Sequence, residues 1–97
     1  MQIIFISYKE SINSFVMDML KSLDLSSYTK WPQVQDTPYK GRPRFGTHIW
    51  PGYNSGLLVP VPEEKVTSLV DKVKEYNDNT KFEGIKVYSW KLENVVE

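Results

Sequence analysis

Ile3-Ile4-Phe5-Ile6-Ser7-Tyr8 decides how the rest of the chain has to be arranged. The run is β-branched and aromatic, is followed at once by the charges of Lys9 and Glu10, and is too short for a helix. It therefore reads as a strand. Its apolar residues do not alternate with polar ones: Ile4 and Ile6 point one way, Ile3 and Phe5 the other. Both faces of this strand need cover.

Beyond it the period becomes helical. Ile12, Phe15, Val16, Met19, Leu20 and Leu23 fall at offsets 0, 3, 4, 7, 8 and 11, which is one continuous stripe. Ser11 suits the start of this helix and Lys21 its negative end, while Asp18 and Lys21 lie on the solvated side. Tyr28 to Gln35 favours a second strand, which Pro32 confines to an edge or a bulge. Gly56-Leu57-Leu58-Val59-Pro60-Val61 reads as a short buried strand. Pro62-Glu63-Glu64 opens a second helix with two carboxylates at its positive end. Val66, Leu69, Val70, Val73 and Tyr76 form its stripe, and Asn77-Asp78-Asn79-Thr80 is expected to stop it. A last strand is expected from Lys81 to Leu92, with Ile85 and Val87 on one face and Tyr88, Trp90 and Leu92 on the other.

The order strand, helix, strand, loop, strand, helix, strand predicts an α+β, ferredoxin-like βαββαβ domain spanning 1–97. Its four-stranded antiparallel sheet would carry both helices on one face. The other face should then be polar if the chain works alone. Leaving Tyr88, Trp90 and Leu92 in water instead exposes an apolar patch of a size that monomers rarely show. The expectation is that this face packs against other copies of the chain; the alternative is that loop residues 36–55 fold back over it.

Composition narrows the function. Twelve basic side chains balance twelve acidic ones in 97 residues, so no global field draws the chain to nucleic acid or an anionic membrane. There is no cysteine, which removes disulfides, thiolate metal sites and cysteine nucleophiles together. The start of the chain lacks the pattern of a secretion signal, and no run approaches the roughly 18–20 apolar residues of a membrane span. A soluble cytoplasmic protein without membrane insertion is expected.

Near mid-chain, Lys40-Gly41-Arg42-Pro43-Arg44-Phe45-Gly46-Thr47-His48-Ile49-Trp50-Pro51-Gly52 concentrates the chemistry. Arg42 and Arg44 are fork donors for carboxylate or phosphate, Lys40 adds a point charge, and Gly41 and Gly46 allow backbone amides to approach a ligand. That set suits a small-anion or nucleotide cradle, or else a solvated basic turn. His48 is the only candidate imidazole, open to a structural role or to metal ligation. Trp50 could stack on a base, or anchor the loop in a core or interface. Catalytic arrangements are absent: no G-x-S-x-G, P-loop or G-x-G-x-x-G occurs, and the expectation is a protein that is not an enzyme. The RNA-recognition fold shares this element order, but its third strand should carry a basic-Gly-aromatic run, and here that strand is aliphatic.

Tyr28-Thr29-Lys30-Trp31-Pro32 together with Gly46-Thr47-His48-Ile49-Trp50-Pro51-Gly52, in this element order over essentially the full length, resembles the PII-like proteins. They belong to the superfamily that joins the nitrogen-regulatory PII signal transducers and the CutA divalent-cation-tolerance proteins. The resemblance implies a homotrimer whose sheets pack around a threefold axis. It also implies that Asp36 to Ser55 corresponds to the T-loop region, near which effectors bind between subunits. PII proteins that bind ATP have a glycine-rich phosphate loop before the last strand; Asn77 to Gly84 departs from it, with one glycine. The leading expectation is a signalling trimer that binds a small anionic metabolite or nucleotide through Lys40, Gly41, Arg42, Arg44, Gly46, His48 and Trp50, and meets a partner protein through loop 36–55. The second is a CutA-like protein with His48 as a metal ligand.

Overall fold

The first strand lands inside the sheet, where its two apolar faces require it to be. The structure is a computed structural model and describes residues 1–35, 54–80 and 84–97. β1 (Gln2–Lys9) leads through a one-turn 3-10 helix (Glu10–Ile12) into α1 (Asn13–Ser22). β2 (Thr29–Val34), β3 (Asn54–Val61), α2 (Glu63–Asn79) and β4 (Lys86–Lys91) follow. The four strands form one sheet in the order β2-β3-β1-β4, with β1 antiparallel to both neighbours and β2 antiparallel to β3. This is the ferredoxin-like arrangement that the sequence predicts.

Register puts the inward residues together. Ile4 lies opposite Val59 and Ile6 opposite Leu57 on one side, and Ile6 lies opposite Val87 on the other. Ile4, Ile6 and Tyr8 of β1 join Leu57, Val59 and Val61 of β3 in the core. Val16, Met19 and Leu20 of α1 and Leu69 and Val73 of α2 close over them, with Leu25 and Ile85 at the margins. Each fully buried Leu, Ile or Val here contributes about 1.5–3 kcal/mol. Phe15, on the predicted stripe of α1, is instead largely exposed and lies against Tyr76 of α2, with ring centroids 4.8 Å apart.

Among the described residues no helix lies on the other face of the sheet, and the alternative cover, loop 36–55, lies almost wholly outside the described residues. Ile3 and Phe5 of β1, Leu58 of β3, Thr29 and Trp31 of β2, and Tyr88 and Trp90 of β4 share it by register. Phe5 and Trp31 meet with centroids 6.4 Å apart. Gly56 permits this packing, because a Cβ there would lie 3.0 Å from Phe5 Cζ and 3.3 Å from Val34 Cγ1. Trp31 is 44% exposed, and Tyr88 and Trp90 are each 51% exposed. The expected apolar face is therefore present.

Several expected boundaries move. Ser11 does not cap α1: the chain leaves β1 through a 3-10 turn, Ile12 takes the N-cap position, and no side chain caps the helix. α2 stops within the Asn77–Thr80 stretch as expected, with Asn79 its last residue and Thr80 extended. Asn77, in the last turn of the helix, also serves the turn beyond. Its Nδ2 donates to the Ile85 carbonyl at 2.9 Å and its Oδ1 accepts from the Ile85 amide at 2.7 Å. β4 accordingly begins at Lys86 rather than Lys81, and it ends at Lys91, with the Leu92 amide still donating to the Met1 carbonyl. The loop expected over 36–55 is shorter at its far end, because Asn54 and Ser55 already pair with Lys9 and Tyr8 in β3. Pro32 sits where the β2–β3 register shifts, as its missing amide demands.

Just beyond α1, past the Leu23 C-cap, Asp24 takes a left-handed φ of 58°. The Asp24 amide donates to the Lys21 carbonyl and the Leu25 amide to the Leu20 carbonyl, both at 2.9 Å, satisfying two terminal carbonyls while Leu25 tucks into the core. Asp24→Gly should raise stability by about 0.5–1 kcal/mol, read as a higher urea midpoint. At the other turn, a Cβ on Gly84 would lie 2.4 Å from Asn77 Oδ1. Gly84→Ala should therefore cost about 1–3 kcal/mol in the native chain and much less once Asn77→Ala has removed the clamp. Additive costs in that double-mutant cycle would separate the two residues.

Candidate functional site

Three inward positions at one end of the sheet carry polar side chains where the pattern elsewhere is apolar. Tyr8 continues the inward row of Ile4 and Ile6, Ser55 lies directly opposite it on β3, and Lys30 of β2 lies opposite the inward Leu57. Tyr8 and Ser55 are buried, at 1% and 0% exposure. Buried hydroxyls need partners, and the β1–α1 junction supplies them. Tyr8 Oη donates to Asn13 Oδ1 at 2.5 Å, and Lys30 Nζ donates to the same oxygen at 3.1 Å. Glu10 lies with Oε1 3.5 Å from Lys30 Nζ and accepts a hydrogen bond from Ser55 Oγ. Ser55 Oγ also has the Pro32 carbonyl at 3.2 Å.

The cluster thus draws on β1, the 3-10 turn, α1, β2 and β3. It sits where β2 ends and β3 begins, on both sides of the central stretch in sequence. One ammonium faces one carboxylate, so its charge is locally balanced. Burial pushes the Tyr8 phenol up from its ordinary 10.0 to about 12. The negative charges of Glu10 and Tyr28 add to that shift, and hydrogen bonding with Ser55 opposes it.

None of these five residues was singled out from sequence as a site residue. The signal that marks them is positional: the inward rows Ile4-Ile6-Tyr8 and Ser55-Leu57-Val59-Val61 both turn polar at the same end of the sheet. Lys40, Gly41, Arg42, Arg44, Gly46, His48 and Trp50 lie outside the described residues. Among the described residues no group of three or more His, Cys, Asp or Glu side chains could hold a metal ion, and no helix is long and apolar enough to cross a membrane. A groove of about 380 Å³ runs between α1 and α2, lined by Phe15, Asp18, Met19, Lys72, Glu75, Tyr76 and Asn79.

No family model and no curated protein matches the chain. Solved structures do. CPII from Thiomonas intermedia K12 bound to ADP, AMP and acetate superposes with a TM-score of 0.68 at 17% identity, over 91% of this chain and 81% of that one. The same protein bound to ADP and bicarbonate gives 0.68 at 17% identity, over 96% and 88%. A protein named as a PII-like signaling protein, from Thermus thermophilus, gives 0.65 at 17% identity, over 92% and 82%. CPII is itself described as a nitrogen regulatory PII-like protein. This chain has the ferredoxin-like fold in the form that the PII-like proteins take.

Tyr8 supplies a test of the buried cluster. Its raised pKa means that both states keep the proton below pH 10, so the contribution is intact there. Between 10.0 and about 12 the unfolded chain releases a proton that the folded chain retains, and stability falls as pH rises. Across that window the native chain should lose on the order of 2 kcal/mol relative to Tyr8→Phe, measured by urea unfolding. Parallel losses in the two proteins would show that Tyr8 ionises normally.

Proposed function

We propose that this chain is a cytoplasmic, non-enzymatic PII-like regulatory protein that assembles as a homotrimer and binds a nucleotide or small anionic metabolite at clefts between subunits. The observation that carries the reading is the uncovered sheet face. Trp31, Tyr88 and Trp90 stand about half exposed beside Ile3, Phe5 and Leu58 on a sheet whose helices lie on the other side. Covering each of these aromatics contributes roughly 1–2 kcal/mol, so three together are a substantial drive to associate. An assembly of identical chains that buries this face supplies the cover without a further component.

The ligand class rests on two supports. The fold is that of proteins solved with ADP, AMP and bicarbonate or acetate. The chain also concentrates Lys40, Arg42 and Arg44, with Gly41 and Gly46 between and beside them, in a sequence of zero net charge. Guanidinium forks and accessible backbone amides are what phosphate and carboxylate groups need. In this reading His48 adds a hydrogen bond, Trp50 stacks on a ring, and the stretch between β2 and β3 meets a partner protein according to what is bound.

Light scattering should give a particle of three chain masses, and Tyr88→Asp with Trp90→Asp should reduce it to one. Calorimetry should show ADP or AMP binding to the native protein and at least about a tenfold loss for Arg42→Ala with Arg44→Ala. A single-chain mass at micromolar concentration would overturn the assembly. Unchanged nucleotide affinity in the double arginine variant would remove these residues from the site.

A further inference from the structure

We propose that the Glu10 carboxylate is an internal occupant of a small carboxylate-binding subsite formed by Ser55 Oγ and Lys30 Nζ, from which an external carboxylate of similar size can displace it. The subsite lies within one chain, so it stands apart from the nucleotide reading and from the assembly.

The first argument is the inequality of the partners. Ser55 is fully buried and directs its hydroxyl at Glu10, whereas the Glu10 side chain is 46% exposed and the Lys30 side chain 28%. The donors are fixed in the sheet, and the acceptor enters from the solvent side on a single 3-10 turn. That is the arrangement of a site and its ligand more than of two mutually buried groups. A carboxylate with access to water loses little when it turns outward, because water replaces its partners.

The second argument is that the donors have alternatives. Ser55 has one hydroxyl proton, and besides Glu10 Oε1 it has the Pro32 carbonyl at 3.2 Å and the Tyr8 hydroxyl within reach. Lys30 keeps Asn13 Oδ1 at 3.1 Å when Glu10 leaves. Tyr8 keeps the same oxygen at 2.5 Å. Departure of Glu10 therefore strands no buried donor, which would otherwise cost about 1–3 kcal/mol and lock the contact shut. Among the described residues, the charged and titratable groups that act on the subsite are Lys30 from β2, Tyr8 from β1, Glu10 itself and Tyr28, which acts on Tyr8 through its charge. With Glu10 turned out, the Lys30 ammonium has lost its carboxylate partner, and a single negative charge replaces it.

The chemistry selects a compact monoanion with oxygens that can accept from a hydroxyl and an ammonium together. A carboxylate does this in the same way that Glu10 does. The expected behaviour is weak, saturable binding to the native chain, which must displace Glu10, and tighter binding once the competitor is removed.

Nuclear magnetic resonance titration with sodium acetate, at ionic strength held constant with sodium chloride, tests this. Acetate replaces the group that Glu10→Ala deletes. Ser55 and Lys30 resonances should move saturably in both proteins, with a Kd about tenfold lower in Glu10→Ala, and the response should vanish in Glu10→Ala with Lys30→Met. If Glu10→Ala fails to fold, Glu10→Gln keeps the side-chain volume without the charge and should still bind acetate more tightly than the native protein. Equal affinity of the native chain and the folded Glu10 variant, or shifts that chloride reproduces, would overturn the proposal.

Discussion

A four-stranded sheet has two faces, and the two α-helices among the described residues both lie on one side of it. Everything else follows from that mismatch. β1 is apolar in both directions because its inward row builds the core and its outward row belongs to the uncovered face. Gly56 belongs to the same logic: it gives up a side chain on β3 so that the Phe5 ring can lie across it and reach Trp31. On the side that the described helices leave open, Phe5 and Trp31 are thereby packed against each other.

The inward face behaves differently along its length. Near Val59 and Val61 it is wholly aliphatic, and at the other end it becomes polar through Tyr8, Ser55 and Lys30. Burying hydroxyls has a cost unless each finds a partner, and here the β1–α1 junction provides them. The helix thereby gives up a conventional start. A 3-10 turn without a side-chain cap takes its place, and Glu10 and Asn13 beside it serve the polar cluster of the sheet.

Most of the architecture was legible in the sequence because it rests on period. The stripes of α1 and α2, the two-faced β1 and the split faces of β4 are all direct consequences of 3.6- and 2-residue spacing. Pro32 announced its irregularity through chemistry that no context can change. What the sequence concealed depends on contacts between distant residues. Asn77 belongs to the stretch that stops the helix, and what the sequence does not show is that Ile85, eight positions on, uses both ends of its amide. Glu10 and Ser55 are 45 positions apart and meet only through the sheet register. Of the candidate site, the basic stretch was read from residue types alone, and its members lie outside the described residues; the polar cluster could be found only from the fold.

The interruption of β2 has a consequence for how copies can come together. β2 and β4 are the rims of the sheet, and a rim of unpaired amides and carbonyls invites another strand to add on, then another, without end. Pro32 breaks the hydrogen-bonding ladder on one rim, and Lys86 and Lys91 flank the other with charge. Growth into fibres is discouraged at both sides. Apolar material remains available on the flat of the sheet, and stacking there would bury it in a closed particle of few members.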